Sequence, residues 1–376
     1  MIFMKRIAFI SDVVYPWLKG GMESIEYSEM KELSKNNEVY CFCMQFDKMK
    51  KEFYKDNIHY ITVTKASIKE LYTAKGSRSM KLAMKFARSL PKILKNYDFD
   101  FIYANTFPYL HLKSVKSYCK AHNCILVFDV AEVWNLRYWK SYIGTLKGTA
   151  GYHYAINAMR GADYYVANSS VTANDLISIG IDKNKIRILS PIINSKTKFK
   201  PFKRDTTVIY AGRLIKEKRL DLWIDAVSKA HSLNPKIKGV IIGNGPEEKH
   251  IHSFISAYPF IKMRKPYVNK MQLYNALSKS LCLLNMSERE GLNVIAIESA
   301  TLGTPPILPN YTPIPKEVKE LSIVRDVKLI PETIANLASK KIKYKIDKKK
   351  LKKFYIDKVN PLFNELMNKS KNKRKI

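Results

Sequence analysis

The sequence predicts an α/β protein built from two doubly wound domains, and three observations carry that expectation. The chain has 376 residues, too many for one typical hydrophobic core, so two domains are expected. Short apolar runs recur along it with helical patterns between several of them, which argues for mostly parallel sheets. A basic stretch, 196–204, separates a first series of such runs from a second that starts at Val208-Ile209-Tyr210-Ala211.

Residues 6–11 read as the first strand. They lead through Asp12 and Pro16 to Gly20-Gly21 and then an amphipathic helix to about Asn36. Paired glycines let a ligand approach the backbone closely at the C-terminal edge of the sheet, where α/β folds bind. Further strand-like runs lie at 38–44, 59–63, 100–105, 125–130, 164–168 and 186–189. Asp98-Phe99-Asp100 precedes a strand instead of ending one, so it reads as a turn and strand start and not as a metal motif.

Residues 77–96 carry Arg78, Lys81, Lys85, Arg88, Lys92 and Lys95 with no acidic residue, beside a stripe of Leu82, Phe86, Leu90, Ile93 and Leu94. The stripe suits a helix packed on a sheet, and a basic amphipathic helix can also lie in a membrane interface. After the strand at 125–130, which contains Asp129, come Glu132, Trp134, Arg137, Tyr138 and Trp139. Flat rings mixed with charge can hold a sugar or its phosphate.

In the second half, Gly212-Arg213 follows a strand, and Lys216-Glu217-Lys218-Arg219 leads into a helix. Strand-like runs follow at 240–242, 261–268, 281–285 and 306–308. After the run at 281–285 comes a loop with Glu290 and Gly291, then an apolar-periodic helix that Gly303 and Pro305 stop. A helix entered this way presents free backbone N–H groups to an anion. Glu290 lies just before that N-terminus and Glu298 about two turns later, on the order of 10 Å away at roughly 1.5 Å per residue. That gap suits a ligand with hydroxyls at both ends and a diphosphate between. The pattern thins after Asn310, a helix is expected over 354–367, and disorder is expected beyond Asn368.

Composition narrows the classes. Net charge is +33, from 66 Lys and Arg against 33 Asp and Glu, which attracts polyanions as a class. No aromatic RNA motif or zinc pattern supports nucleic acid as a partner. No apolar run approaches the roughly 20 residues of a membrane span, and no signal peptide is visible at the start. Five cysteines lie mostly in strand-like runs and read as reduced core residues of a cytosolic protein.

The stretch from Glu290 to Pro305 resembles the Glu-x7-Glu signature of the retaining GT-B glycosyltransferases, family four. Both glutamates, Gly291, Gly303 and Pro305 are kept, with Leu292-Asn293 where Phe-Gly is usual. Gly212-Arg213-Leu214 with Glu217-Lys218, the Gly243-Asn244-Gly245-Pro246 turn and the Gly20-Gly21-Met22-Glu23 loop also resemble that family. Ala131 stands at the place where the family usually has a histidine. The resemblance implies a GT-B fold of two Rossmann-like domains with a cleft between them. The first domain would be 1–195, the linker 196–204, the donor-binding domain 205–350, and 351–376 a helix returning to the first domain with a basic tail.

It further implies transfer of a hexose from a nucleoside-diphosphate sugar, with retention, to a glycan or lipid-linked acceptor. Glu290, Arg213 and Lys218 would be catalytic. Gly20, Gly21, Leu292, Asn293, Val294 and Glu298 would join them in binding the donor, Glu298 on the ribose hydroxyls and Glu290 on the sugar. Asp129, Glu132, Trp134 and Arg137 would face the acceptor. No metal and no cofactor are required, because the cations meet the diphosphate. The expected location is cytoplasmic, with docking on an anionic membrane surface. Two alternatives stay open: a non-catalytic sugar-nucleotide binder and a sugar-nucleotide epimerase of the same fold.

Overall fold

The computed structural model describes residues 4–18, 20–73, 77–194, 203–266 and 269–373. The chain divides into two compact units, one of Met1–Asn194 with Lys353–Ile376 and one of Ser195–Lys352.

The first unit holds strands β1 (Arg6–Ile10), β2 (Glu38–Gln45), β3 (Glu52–Lys55), β4 (Ile58–Lys65), β5 (Phe101–Asn105), β6 (Ile125–Val130), β7 (Tyr164–Ala167) and β8 (Ile186–Ile188). They form one sheet in the order β3-β4-β2-β1-β5-β6-β7-β8. Helices α1 (Gly21–Leu33), α2 (Met80–Leu94), α3 (Leu112–His122), α4 (Leu136–Ile143), α5 (Thr145–Met159) and α6 (Ser170–Ser178) connect the strands. Every residue of β6 is buried, as befits a parallel strand covered on both faces. The strand order reverses between β1 and β5, so the segments that leave these two strands diverge to opposite sides and open a crevice at the sheet's C-terminal edge.

The edge strand β3 is an addition to the expected pattern. It pairs antiparallel with β4 through a two-residue turn, Asp56-Asn57, whose φ values are 54° and 60°. Both residues tolerate the left-handed region, which is what a tight hairpin needs. The strand itself, Glu-Phe-Tyr-Lys, is too short to show a period-2 pattern.

The second unit holds β9 (Thr207–Ala211), β10 (Lys238–Ile242), β11 (Ile261–Arg264), β12 (Cys282–Leu284), β13 (Pro306–Pro309) and β14 (Ile323–Arg325), ordered β11-β10-β9-β12-β13-β14. Its helices are α7 (Leu220–Leu233), α8 (Glu248–Ile255), α9 (Lys270–Lys279), α10 (Val294–Thr301), α11 (Lys316–Lys319), α12 (Ile330–Ala338) and α13 (Lys348–Leu351). Here the order reverses between β9 and β12, which pair in parallel. Trp223 of α7 is fully buried, and its Nε1 donates to the Leu284 carbonyl at 3.1 Å, fixing α7 to β12. Gly243 ends β10 against β9: a Cβ there would lie 2.0 Å from the Gly212 carbonyl oxygen, so only glycine fits.

Three expectations need correction. β11 stops at Arg264, short of 268, and Tyr267 and Val268 lie outside the described residues. Regular structure continues well past Asn310 with β14 and α12, where Ile330 and Ile334 are fully buried. The final helix, α14 (Val359–Lys373), runs past the point where disorder is expected. Its Phe363 packs on Phe101 and Tyr103 of the first sheet, with ring centroids 5.2 and 5.1 Å apart. That contact explains why so basic a segment stays ordered: one face is apolar and buried.

Candidate functional site

The two strands beside the second reversal each deliver one half of a charged site. From β9 come Gly212, Arg213 and the 3₁₀ turn Lys216–Lys218. From β12 come Asn285, the loop with Glu290, and α10. The loops are stitched by the Glu288 amide, which donates to the Glu217 carbonyl at 2.9 Å. Arg219, at φ 48°, lies 2.8 Å from Asp221 and 2.9 Å from Glu288. Its hydrogen bonds hold the Asp221 carboxyl below the ordinary range and raise the guanidinium itself.

This stitching brings Lys218 Nζ to 2.8 Å from Glu290 Oε1. Asn285 Nδ2 donates to the same oxygen at 3.2 Å. Asn285 is buried, and its own Oδ1 accepts from the Ser287 amide at 2.9 Å and hydroxyl at 2.6 Å. The Met286 and Ser287 carbonyls in turn accept from the Tyr311 and Thr312 hydroxyls. The loop that carries Glu290 is therefore pinned from both sides.

Asn293 accounts for the departure from the usual Phe-Gly. Its φ is 67° and ψ 61°, the left-handed conformation, and its side chain accepts from the Ala296 amide to cap α10. Asparagine is one of the few non-glycine residues that enter this region readily, and it adds a cap that glycine lacks. Ala296 is thereby satisfied, leaving the Val294 and Ile295 amides at the helix start, which no carbonyl of their own helix can reach. Leu292 is 3% exposed, so its side chain anchors the loop and only its backbone can face a ligand. Arg213 is exposed, and its carbonyl accepts from the Tyr210 hydroxyl at 2.8 Å.

Glu298, on α10, is nearly buried at 7% exposure. Its Oε1 lies 2.7 Å from Lys270 Nζ and accepts from the Tyr274 hydroxyl at 3.0 Å. Sequence reasoning missed Lys270, Tyr274, Asn285 and Arg219. The spacing of Lys270 and Tyr274, one helical turn apart, puts them on one face, but nothing local shows that this face meets Glu298.

In the first unit, Gly20 and Gly21 cap and start α1. Asp12, between β1 and these glycines, pairs with Arg78 at 2.6 Å, both buried. Trp134 Nε1 donates to Glu132 at 3.0 Å, and its ring meets Phe107, Tyr138 and Tyr142 at 4.8 to 5.0 Å between centroids. Arg137 is exposed on α4. Asp129 does not join these residues at the surface. It is 5% exposed and lies with Glu26 and Glu29 of α1 and Tyr103 of β5, all buried. Burial pushes its carboxyl up to about 7 and pushes both glutamates well above the ordinary range. Ala131 offers only its carbonyl, which accepts from the Thr172 hydroxyl at 3.1 Å.

Asp100 takes Lys5 at 2.8 Å and the Arg6 amide at 3.0 Å, a strand-start role. Among the described residues, no group of three or more His, Cys, Asp or Glu side chains is placed to hold a metal ion. Nor is any helix among them long and apolar enough to cross a membrane.

Two family models match the chain: Glycosyltransferase Family 4 over 19–196 and Glycosyl transferases group 1 over 192–357. No curated protein matches at a significant level. Among solved structures, a sucrose-phosphate synthase from Thermosynechococcus elongatus is 14% identical with a TM-score of 0.72, over 97% of this chain and 98% of that one. The apo form of the lipopolysaccharide outer core galactosyltransferase WaaB is 19% identical with a TM-score of 0.65, over 97% and 99%. HepE of Anabaena, in complex with UDP and glucose, is 14% identical with a TM-score of 0.64, over 97% and 100%. At these identities the likeness concerns the fold.

Proposed function

Because this chain belongs to the group 1 glycosyl transferases of GT-B fold, acting with nucleotide-sugar donors, we propose that it moves a hexose, with retention, to a glycan or lipid-linked acceptor. The observation that carries the reading is the pair of glutamates around the start of α10, each with one carboxylate oxygen held by a lysine. Glu290 would take the sugar hydroxyls and Glu298 the ribose hydroxyls. Arg213, Lys218 and the Val294 and Ile295 amides would face the diphosphate between them. As the anomeric C–O bond breaks, its electron pair goes to the diphosphate oxygen, and fixed cations and amides stabilise that charge. The acceptor hydroxyl forms the new bond on the same face, and its proton passes to the departing diphosphate oxygen. The cations supply the charge that a metal ion would otherwise bring.

The half-buried rings around Trp134, with Glu132 and Arg137, suit a sugar acceptor that stacks and hydrogen-bonds. The exposed face of α2 carries Met80, Lys81, Met84, Lys85, Arg88 and Lys92, with Lys95 just past its end, which suits an anionic membrane surface on the cytoplasmic side. WaaB is a lipopolysaccharide galactosyltransferase by its name, and a lipid-linked acceptor would make such docking useful. Ala131 favours a second reading, a binder without turnover, since its methyl group cannot share or donate a proton. A thermal-shift panel of UDP-, GDP- and ADP-sugars finds the donor, and release of nucleoside diphosphate from it, with or without acceptor, separates the two readings. No stabilisation by any sugar nucleotide would remove both.

A further inference from the structure

We infer that Lys270 and Tyr274 are positioning residues that set the selectivity of the donor site for a ribonucleotide, acting through Glu298. The inference rests on the reading that Glu298 meets the ribose hydroxyls. Glu298 is nearly buried, and a carboxylate with so little water needs fixed partners. Both of its donors converge on one oxygen: Lys270 Nζ lies 2.7 Å from Oε1, and the Tyr274 hydroxyl donates to Oε1 at 3.0 Å. Among the described residues, Oε2 accepts no hydrogen bond. Two protein donors thus hold Oε1, and Oε2 is the oxygen left to accept from a ligand.

The support beneath this arrangement is rigid. Asn269 caps α9 by accepting from the Gln272 amide at 3.0 Å. At the other end of α9, the Leu277 carbonyl accepts from the Thr304 hydroxyl at 2.8 Å, which ties α9 to the turn that ends α10. Lys270 also lies over the Tyr274 ring, 5.4 Å from its centroid. The two donors therefore act as one unit.

Two consequences follow for a ligand. An oxygen left without a protein donor rewards a ligand hydroxyl placed there and penalises its absence, since the ligand then covers an acceptor that is left unpaired. The Lys270 charge offsets that of Glu298, so the carboxylate can sit close to a diphosphate without repelling it. Removing either donor lets the carboxylate turn and blurs the distinction between a ribose and a deoxyribose.

The test uses the full chain and the nucleoside diphosphate that binds best among UDP, GDP and ADP. Its affinity is compared with those of the 2′-deoxy and 3′-deoxy counterparts by calorimetry. Wild type should favour the ribonucleotide at least tenfold over one of them, and Glu298→Ala should abolish that ratio. Tyr274→Phe and Lys270→Met should each shrink it at least threefold, and Lys270→Arg should keep most of it. A loss of packing alone weakens all ligands together and leaves the ratio unchanged. Tyr274→Phe keeps the ring, so it carries the test should Lys270→Met fold poorly. An unchanged ratio in Tyr274→Phe and in any folded Lys270→Met, beside a collapsed one in Glu298→Ala, overturns the inference and leaves the role of Glu298 standing. No preference in wild type, or an unchanged one in Glu298→Ala, removes that role and the inference with it.

Discussion

Lys218 and Glu290 lie 72 positions apart in the chain and 2.8 Å apart in space. Their side chains are 22% and 12% exposed, so the pair sits largely out of water at the seam between the loops that leave β9 and β12. Breaking such a pair strands a charge, but Asn285 remains on Glu290 Oε1 and limits the loss of order. Lys218→Ala should therefore lower turnover by about 10²-fold or more, the usual loss for one transition-state charge stabiliser, while the unfolding temperature moves little. Arg213→Ala should behave likewise. Steady-state rates with the donor found by thermal shift check both, and wild-type rates would place the diphosphate elsewhere.

Glu298→Ala should weaken donor binding by about 1–3 kcal/mol, the range for a hydrogen bond to a charged group. Calorimetry on the folded variant measures it directly. Unchanged affinity would detach the ribose from α10.

Asn293 combines a left-handed backbone with a helix cap, and the two contributions separate by substitution. Asn293→Gly keeps the backbone free and loses only the cap side chain, a cost of a few tenths of a kcal/mol. Asn293→Ala loses the cap and forces a β-carbon into the left-handed region, at roughly 1 kcal/mol for each. Denaturant unfolding should thus rank wild type and glycine close together and alanine about 2 kcal/mol below. Alanine matching glycine would mean the loop rearranges.

The first unit should become less stable as pH rises, against the usual trend for carboxylates. Asp129 on β6 faces Glu26 and Glu29 on α1, with Tyr103 on β5 beside it. Glu23 and the Arg78-paired Asp12 lie further out. Burial raises Asp129 from 3.8 to about 7 and raises both glutamates well above 4.5. The folded state therefore holds protons that the unfolded chain releases near about pH 4. The part of this stability due to Asp129 is complete below that point and is lost as pH climbs through about 7, and the two raised glutamates act in the same direction. Each pH unit between the unfolded and folded midpoints is worth about 1.4 kcal/mol, so Asp129 alone accounts for a loss of up to roughly 4 kcal/mol. Urea unfolding between about pH 5 and 8 should show the decline, and Asp129→Asn should make it shallower, the two glutamates keeping the remainder. A rising curve in wild type would mean that groups outside this cluster govern the pH dependence.

The membrane docking proposed for α2 would be electrostatic in origin, so binding should fade with salt as screening shortens. Flotation with anionic vesicles at low salt should carry the wild type, and the variant with Lys81, Lys85, Arg88 and Lys92 changed to Gln should stay behind. Neutral vesicles should carry neither. Wild type remaining in the soluble fraction would leave the charge as compositional bias.

Much of the fold is legible in the sequence, because a parallel strand buried on both faces must be an unbroken apolar run. β1, β6, β9 and β12 announce themselves in that way. The Glu290 to Glu298 spacing and the Gly303 stop are also local, since both follow from the geometry of a single turn and helix. β3 and α12 are not legible: one is short and half charged, and the other is only nine residues long with Pro331 at its start, too short for the helical period to stand out. α14 is legible only in its first half, because composition argues for disorder while its order comes from Phe363 reaching a distant sheet. The same limit holds at the site. Sequence alone settles which residues sit at a strand end or helix start, since those positions depend on neighbours a few bonds away. That Lys218 meets Glu290, that Lys270 and Tyr274 share one oxygen of Glu298, and that Asp129 is buried among carboxyls were decided by tertiary structure. Each depends on which strands become neighbours, and strand order is a property of the whole chain's packing.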